Sequence, residues 1–188
     1  MNKRLYIAGF GVVAVVLSLL PIDNIPAIAK LVNAGTEIAN NILHQPKVNL
    51  NLVAQQKQVQ KDAQGKEVVT WKALDEKTLV KPADVIRFTV TGKNEGNKAA
   101  KNLAFTQKVA QGMVYSLNSA TASGATITYS IDRGKTFVPS PTVKVTLANG
   151  KVEERPAPAE AYTHVRWSFA QELAPNTSVQ AAYLVKVR

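Results

Sequence analysis

From Val48 to Val187 the apolar residues keep returning at every second position, and turn-forming residues interrupt them at short intervals. A period of two places successive side chains on opposite faces of an extended strand, so such a segment is half-buried by design. Val48, Leu50 and Leu52 alternate with Asn49 and Asn51. The polar run Lys61 to Lys66 turns the chain into Val68, Val69, Trp71 and Leu74, which predicts a hairpin. Pro82-Ala83-Asp84 leads into Val85 to Val90, a strand rich in β-branched residues. Asn94 to Asn97 is the next turn, and Leu103 to Val109 the next strand, with Leu103 and Phe105 inward. Gly112 breaks it, and Met113 to Tyr115 continues.

The rhythm persists to the end of the chain. Ala125 to Ser130 alternates, with Ile127 and Tyr129 on one face. Asp132 to Lys135 turns the chain into Thr136-Phe137-Val138, and Val143, Val145 and Leu147 alternate up to Asn149-Gly150. Asn-Gly between alternating segments predicts a type I′ hairpin, with both turn residues at positive φ. Val152 begins the return, and Arg155 to Glu160, with Pro156 and Pro158, reads as a loop. Val165, Trp167 and Phe169 form a strand, Leu173 to Ser178 a turn, and Val179 to Val187 the last strand. About eight to ten short strands at such spacing, with no helical period after Pro46, predict an all-β sandwich in preference to a small barrel.

Three regions follow from the rest of the chain. Residues 1–29 carry Lys3 and Arg4, the apolar run Leu5 to Leu20, and the small-x-small pattern Ala27-Ile28-Ala29, which are the parts of a secretory signal with a mature start at Lys30. The apolar run, about 16 to 18 residues, is long for a signal and short of a comfortable span of about 20. An uncleaved anchor over residues 5–22 is therefore the alternative, and both place the folded part outside the cytoplasm, in the periplasm or at the cell surface. Residues 30–46 are a leader in which Ile38, Ala39, Ile42 and Leu43 could form one short helical stripe. Residues 47–188 are the sandwich.

The segment from Lys81 to Tyr115 resembles a repeat domain of bacterial surface proteins, the domain of unknown function numbered eleven, which is an immunoglobulin-like sandwich. The carrying residues are Asp84 to Val90, Asn94-Glu95-Gly96, Ala99 to Leu103, and Gly112 with Tyr115. The family places Gly where this chain has Ala83, and an Asp-x-hydrophobic-Pro stretch where it has Gln107 to Ala110. The resemblance implies an immunoglobulin-like fold, export, and a surface or envelope role.

The chain has no cysteine, which excludes disulfides, thiol catalysis and cysteine-ligated zinc. Its net charge of +10 attracts it to anionic surfaces. Lys93, Lys98, Lys101 and Lys108 are the densest basic group and the candidate anion-binding residues, although lysines on strand edges also serve simply to block aggregation. The partners this suggests are an envelope or surface protein or an anionic polysaccharide. Aromatic and basic residues do not interleave as on a nucleic-acid platform.

The catalytic inventory is thin, and no cofactor is expected. Ser130 to Phe137 matches the Asp-box pattern of sialidase-like propellers, but one box in a short chain reads as a hairpin in which Asp132 accepts turn amides and Phe137 packs beneath. His44 lies in the leader, and His164 alternates with Val165 and Trp167, so it faces outward with no second ligand at metal spacing. Ser123 and Ser168 stand in no nucleophile-elbow context. Glu153-Glu154 and Asp75-Glu76 are adjacent pairs that point to opposite faces of a strand. Trp71 and Trp167 fit the core better than a sugar-stacking platform. Asn176-Thr177-Ser178 reads as a turn. The expectation is a non-catalytic exported module with a structural or adhesive role. A basic module for anionic glycan or lipid headgroups is the alternative, and a hydrolase the remote one.

Overall fold

The computed structural model describes residues 16–19, 46–75 and 78–188. The expected cleavage site at residues 27–29 and the leader helix over residues 38–43 lie outside them. The strands are β1 (Val16–Leu19), β2 (Val48–Lys61), β3 (Glu67–Ala73), β4 (Val85–Asn94), β5 (Leu103–Lys108), β6 (Met113–Tyr115), β7 (Thr121–Ala122), β8 (Ala125–Ser130), β9 (Thr142–Thr146), β10 (Val152–Pro156), β11 (His164–Phe169) and β12 (Ser178–Val187). A single 3-10 turn covers Ala159–Ala161.

The fold is all-β and antiparallel. One sheet runs β1-β5-β11-β8 and the other β3-β2-β4-β12-β6, with β7 beside β12 and a separate ribbon β9-β10. The two larger sheets bury one core. Ile86, Phe88 and Val90 of β4 and Tyr183 and Val185 of β12 meet Leu103 and Phe105 of β5 and Val165 and Trp167 of β11. Trp167 is fully buried. Its ring lies 5.8 Å from that of Tyr183, which stacks on Phe88 at 5.4 Å. Gly92 of β4 is buried, and a Cβ there would stand 2.5 Å from Phe105 Cζ, so the absence of a side chain lets the Phe105 ring pack against this strand.

Asn94 ties the turn after β4 to the rest of the domain. It is fully buried, donates to the carbonyls of Lys98 (2.7 Å) and Leu173 (2.8 Å), and accepts from the amides of Lys47 (3.2 Å) and Gly96 (3.0 Å). All of its hydrogen-bonding capacity is used. Gln107 differs: it is fully buried in the core face of β5, and neither amide atom finds a partner. Such a group costs about 1–3 kcal/mol.

Four expectations are corrected. Trp71 is not core: it is half-buried on the outer face of its sheet, where the Arg87 guanidinium lies 4.2 Å over its ring. The β2–β3 hairpin runs on past the end of β4 pairing at Gln56, so its distal residues have no second sheet to face. Gly150 has φ +80° but Asn149 is not at positive φ. The hairpin therefore closes as a turn from Leu147 to Gly150, with the Leu147 amide bonded to the Lys151 carbonyl (2.8 Å), rather than as a two-residue I′ loop. Arg155 and Pro156 are strand rather than loop, since a proline is tolerated on an edge strand. Thr136 to Val138 forms no strand, only a bridge between Val138 and Tyr129.

Pro82-Ala83 forms the turn into β4, with the Asp84 amide bonded to the Lys81 carbonyl at 3.1 Å. Ala83 has φ +76° in this turn, a left-handed value that favours glycine. Ala83→Gly is therefore expected to stabilise the fold by about 0.5–1 kcal/mol, relief of the left-handed strain outweighing the extra freedom of the unfolded chain. The urea midpoint checks this, and a lower midpoint contradicts it.

Candidate functional site

Because Val165, Trp167 and Phe169 of β11 are buried, the intervening His164, Arg166 and Ser168 must point outward. The strand register sets their neighbours. His164 lies between Lys108 of β5 and Ser130 of β8, and Arg166 between Thr106 and Thr128. The turn after β8 then folds back over this face. Its Phe137 ring sits 3.6 Å from the Arg166 guanidinium carbon and 6.4 Å, edge-on, from the His164 ring. Arg166 Nε donates to Thr106 Oγ1 at 3.0 Å. The guanidinium is thus held by an aromatic face and a hydroxyl, a cation–π arrangement that fixes its position without neutralising it.

The turn is built by its own side chains. Asp132 accepts from the amides of Lys135 (3.1 Å) and Thr136 (2.9 Å) and from the hydroxyls of Ser130 (2.7 Å) and Thr136 (2.6 Å). These bonds, led by the Thr136 hydroxyl, pull the Asp132 carboxyl far below the usual carboxylate range. Arg133 and Gly134 take φ +63° and +85°, so the chain reverses tightly. The Asp-box residues thus build the turn that positions Phe137, and the exposed Arg133 and Lys135 belong to the same turn.

Thr163 joins turn and strand. Its hydroxyl donates to the Ser130 carbonyl (3.0 Å) and accepts from the Arg133 amide (3.1 Å). The same hydroxyl lies 3.1 Å from His164 Nδ1. Burial lowers the His164 pKa first, and Lys108 and Arg166 lower it further against a smaller opposing effect of Asp132.

Of the lysines singled out in the sequence, Lys93, Lys98 and Lys101 share the end of the sandwich that carries the Asn94 turn. Lys93 pairs with Glu95 (3.8 Å) and Lys101 with Glu172 (3.0 Å). Lys108 stands at the other end of β5, five residues or roughly 17 Å of extended chain from Leu103. It belongs with His164 and Arg166. Among the described residues, Lys108, Arg133, Lys135 and Arg166 have no ion-pair partner, and the Arg166 terminal nitrogens have no hydrogen-bond acceptor. Sequence reasoning placed Lys108, His164 and Asp132 separately and missed Arg166, Arg133 and Lys135, because only the register of β5, β11 and β8 brings them together.

Elsewhere, a groove of about 770 Å³ lies between the start of β12 and the β7–β8 turn. Its lining includes Ala122, Ile127, Val179 and Gln180 and no charged side chain, so it offers an anion nothing to pair with. No group of three or more potential metal ligands occurs among the described residues, and no helix there is long and apolar enough to cross a membrane. No family model, curated protein or solved structure matches the chain.

The depressed His164 pKa fixes a pH dependence. The unfolded chain takes up this proton at a higher pH than the folded one, so the stability contributed by neutral His164 is fully present above the ordinary value of 6.5 and declines as pH falls below it toward the folded value. The His164 imidazole resonances of the folded chain are expected to titrate below 6.5, and Arg166→Gln to move their midpoint upward. An unshifted midpoint in the unmodified chain contradicts the geometry.

Proposed function

We propose that the chain is a non-catalytic, immunoglobulin-like module exported to the cell envelope, with an adhesive role exerted through the basic outer face of β5, β11 and β8. The observation that carries this reading is a fixed guanidinium among cations without ion-pair partners: Arg166 on Phe137, with Lys108 on the neighbouring strand and the exposed Arg133 and Lys135 in the turn that carries Phe137. A preplaced guanidinium suits carboxylate or sulfate groups because its donors form a planar fork. Repeated carboxylates or sulfates on a polysaccharide match a face that carries several cations in a shallow, open arrangement. Export rests on the Lys3-Arg4 charge, the apolar run and Ala27-Ile28-Ala29.

A purely structural role through protein contacts is the second reading. It is favoured by the distal β2–β3 hairpin, where Val59 and Val69 face each other across the strands at 53% and 47% exposure.

The test is retention of the full chain on immobilised polygalacturonate across a salt gradient. Binding is expected to weaken steeply with salt. Arg166→Gln, and separately Lys108→Gln with Lys135→Gln, should each weaken it about tenfold, roughly 1.4 kcal/mol. Lys93→Gln, Lys98→Gln and Lys101→Gln together should change it little. The reverse ranking would move the site to the Asn94 end, and no retention at low salt would leave the protein-contact reading in its place.

A further inference from the structure

β5 departs from the burial pattern of its neighbours. Along β4 and β11, fully buried residues alternate with more exposed ones, as in sheets with one covered face. Along β5, five successive residues are buried, Leu103 to Gln107. Leu103, Phe105 and Gln107 are on the core side, but Ala104 at 9% and Thr106 at 7% exposure belong to the outer side. This is the pattern of an interior strand. β11 pairs with one edge of β5. No strand of the 46–188 region pairs with the other edge. That place is taken by β1, antiparallel, with Val16 opposite Thr106, Leu17 opposite Phe105, Ser18 opposite Ala104 and Leu19 opposite Leu103.

The residues that fill this edge come from the C-terminal end of the apolar run whose flanks have the features of an export signal. The same segment therefore has two competing environments, a membrane or the β5 edge. An open edge presents a row of unsatisfied backbone donors and acceptors that pairs readily with another extended chain. With Val16–Leu19 in place, Leu103 to Gln107 are all buried, so the added strand is part of covered structure. We infer that the outer edge of β5 is a strand-acceptor site for an extended aliphatic segment added antiparallel. The chain's own Val16–Leu19 occupies it, and it opens to an equivalent segment in trans when those residues are withdrawn. The site is distinct from the basic face and stands or falls separately from it.

The absence of native cysteine permits a direct test on the full chain. Ser18→Cys with Ala104→Cys places two thiols at opposed positions of an antiparallel pair, within reach of a disulfide. Ser18→Pro removes an amide and disfavours the pairing. The probe is a fluorescent, lysine-tailed synthetic peptide of residues 14–21, followed by anisotropy. The expected result is an intramolecular disulfide in the cysteine pair but not in a control pair, Ser18→Cys with Lys108→Cys. Ser18→Pro should bind the peptide at least tenfold more tightly than the unmodified chain. The oxidised pair should bind it at least tenfold more weakly than Ser18→Pro, with reduction restoring the unmodified level. Equal disulfide formation in the two pairs, none in the first, or no gain of binding by folded Ser18→Pro overturns the proposal. Should Ser18→Pro fail to fold, the two cysteine pairs decide alone.

Discussion

Burial of the Trp167 ring between the two sheets is the constraint on which the rest depends. The indole meets Tyr183 from the facing sheet, Tyr183 stacks on Phe88, and Phe105 packs edge-on against Phe169 at 5.1 Å. Removing so large a buried side chain typically costs about 3–5 kcal/mol. The consequence for function is geometric. A strand side chain has only two directions, so Trp167 inward requires Arg166 and His164 outward, and a slip of one residue would carry the guanidinium into the core. The register of the core and the composition of the basic face are one choice.

Local turn chemistry completes the face. Asp132 gathers the amides and hydroxyls of its own loop, and this brings Phe137 over Arg166 instead of leaving it in solvent. The loop is joined to the strand by Thr163, whose hydroxyl bridges the Arg133 amide and the Ser130 carbonyl. The charged side chains then sit on a framework of strand and turn rather than on a mobile segment. The basic residues at the Asn94 end lie on an equally well-tied turn, but two of them are matched by glutamates. Position and pairing, more than the local density of lysines in the chain, separate the two ends.

Much of the fold was legible in the sequence because half-buried antiparallel strands advertise their period. The strands over Val85, Leu103, Ala125, His164 and Val179 start within a few residues of where alternation places them, and Trp167 is core as its position between Val165 and Phe169 requires. Trp71 was misread because alternation says that a residue shares a face, not whether another sheet covers that face. Pro156 misled because proline breaks only a paired, interior strand. The basic face was illegible for a related reason: Lys108, Arg133, Lys135 and Arg166 come from three segments, and their proximity depends on cross-strand register. The pairing of Val16–Leu19 left no trace either, since a continuous apolar run has no alternation to read. The Asp-box turn is the opposite case, a local device whose residues are adjacent in sequence and whose role is therefore visible there.

The proposed site for anionic partners is the outer face of β5, β11 and β8. The most direct measurement is a map of backbone amide shifts in the isotope-labelled full chain during titration with a short oligogalacturonate. The account predicts the largest changes at Arg133 to Phe137, His164 to Arg166 and Lys108, with the Lys93 to Lys101 segment nearly still. Changes concentrated on Lys93 to Lys101, or spread evenly over the surface, would contradict it.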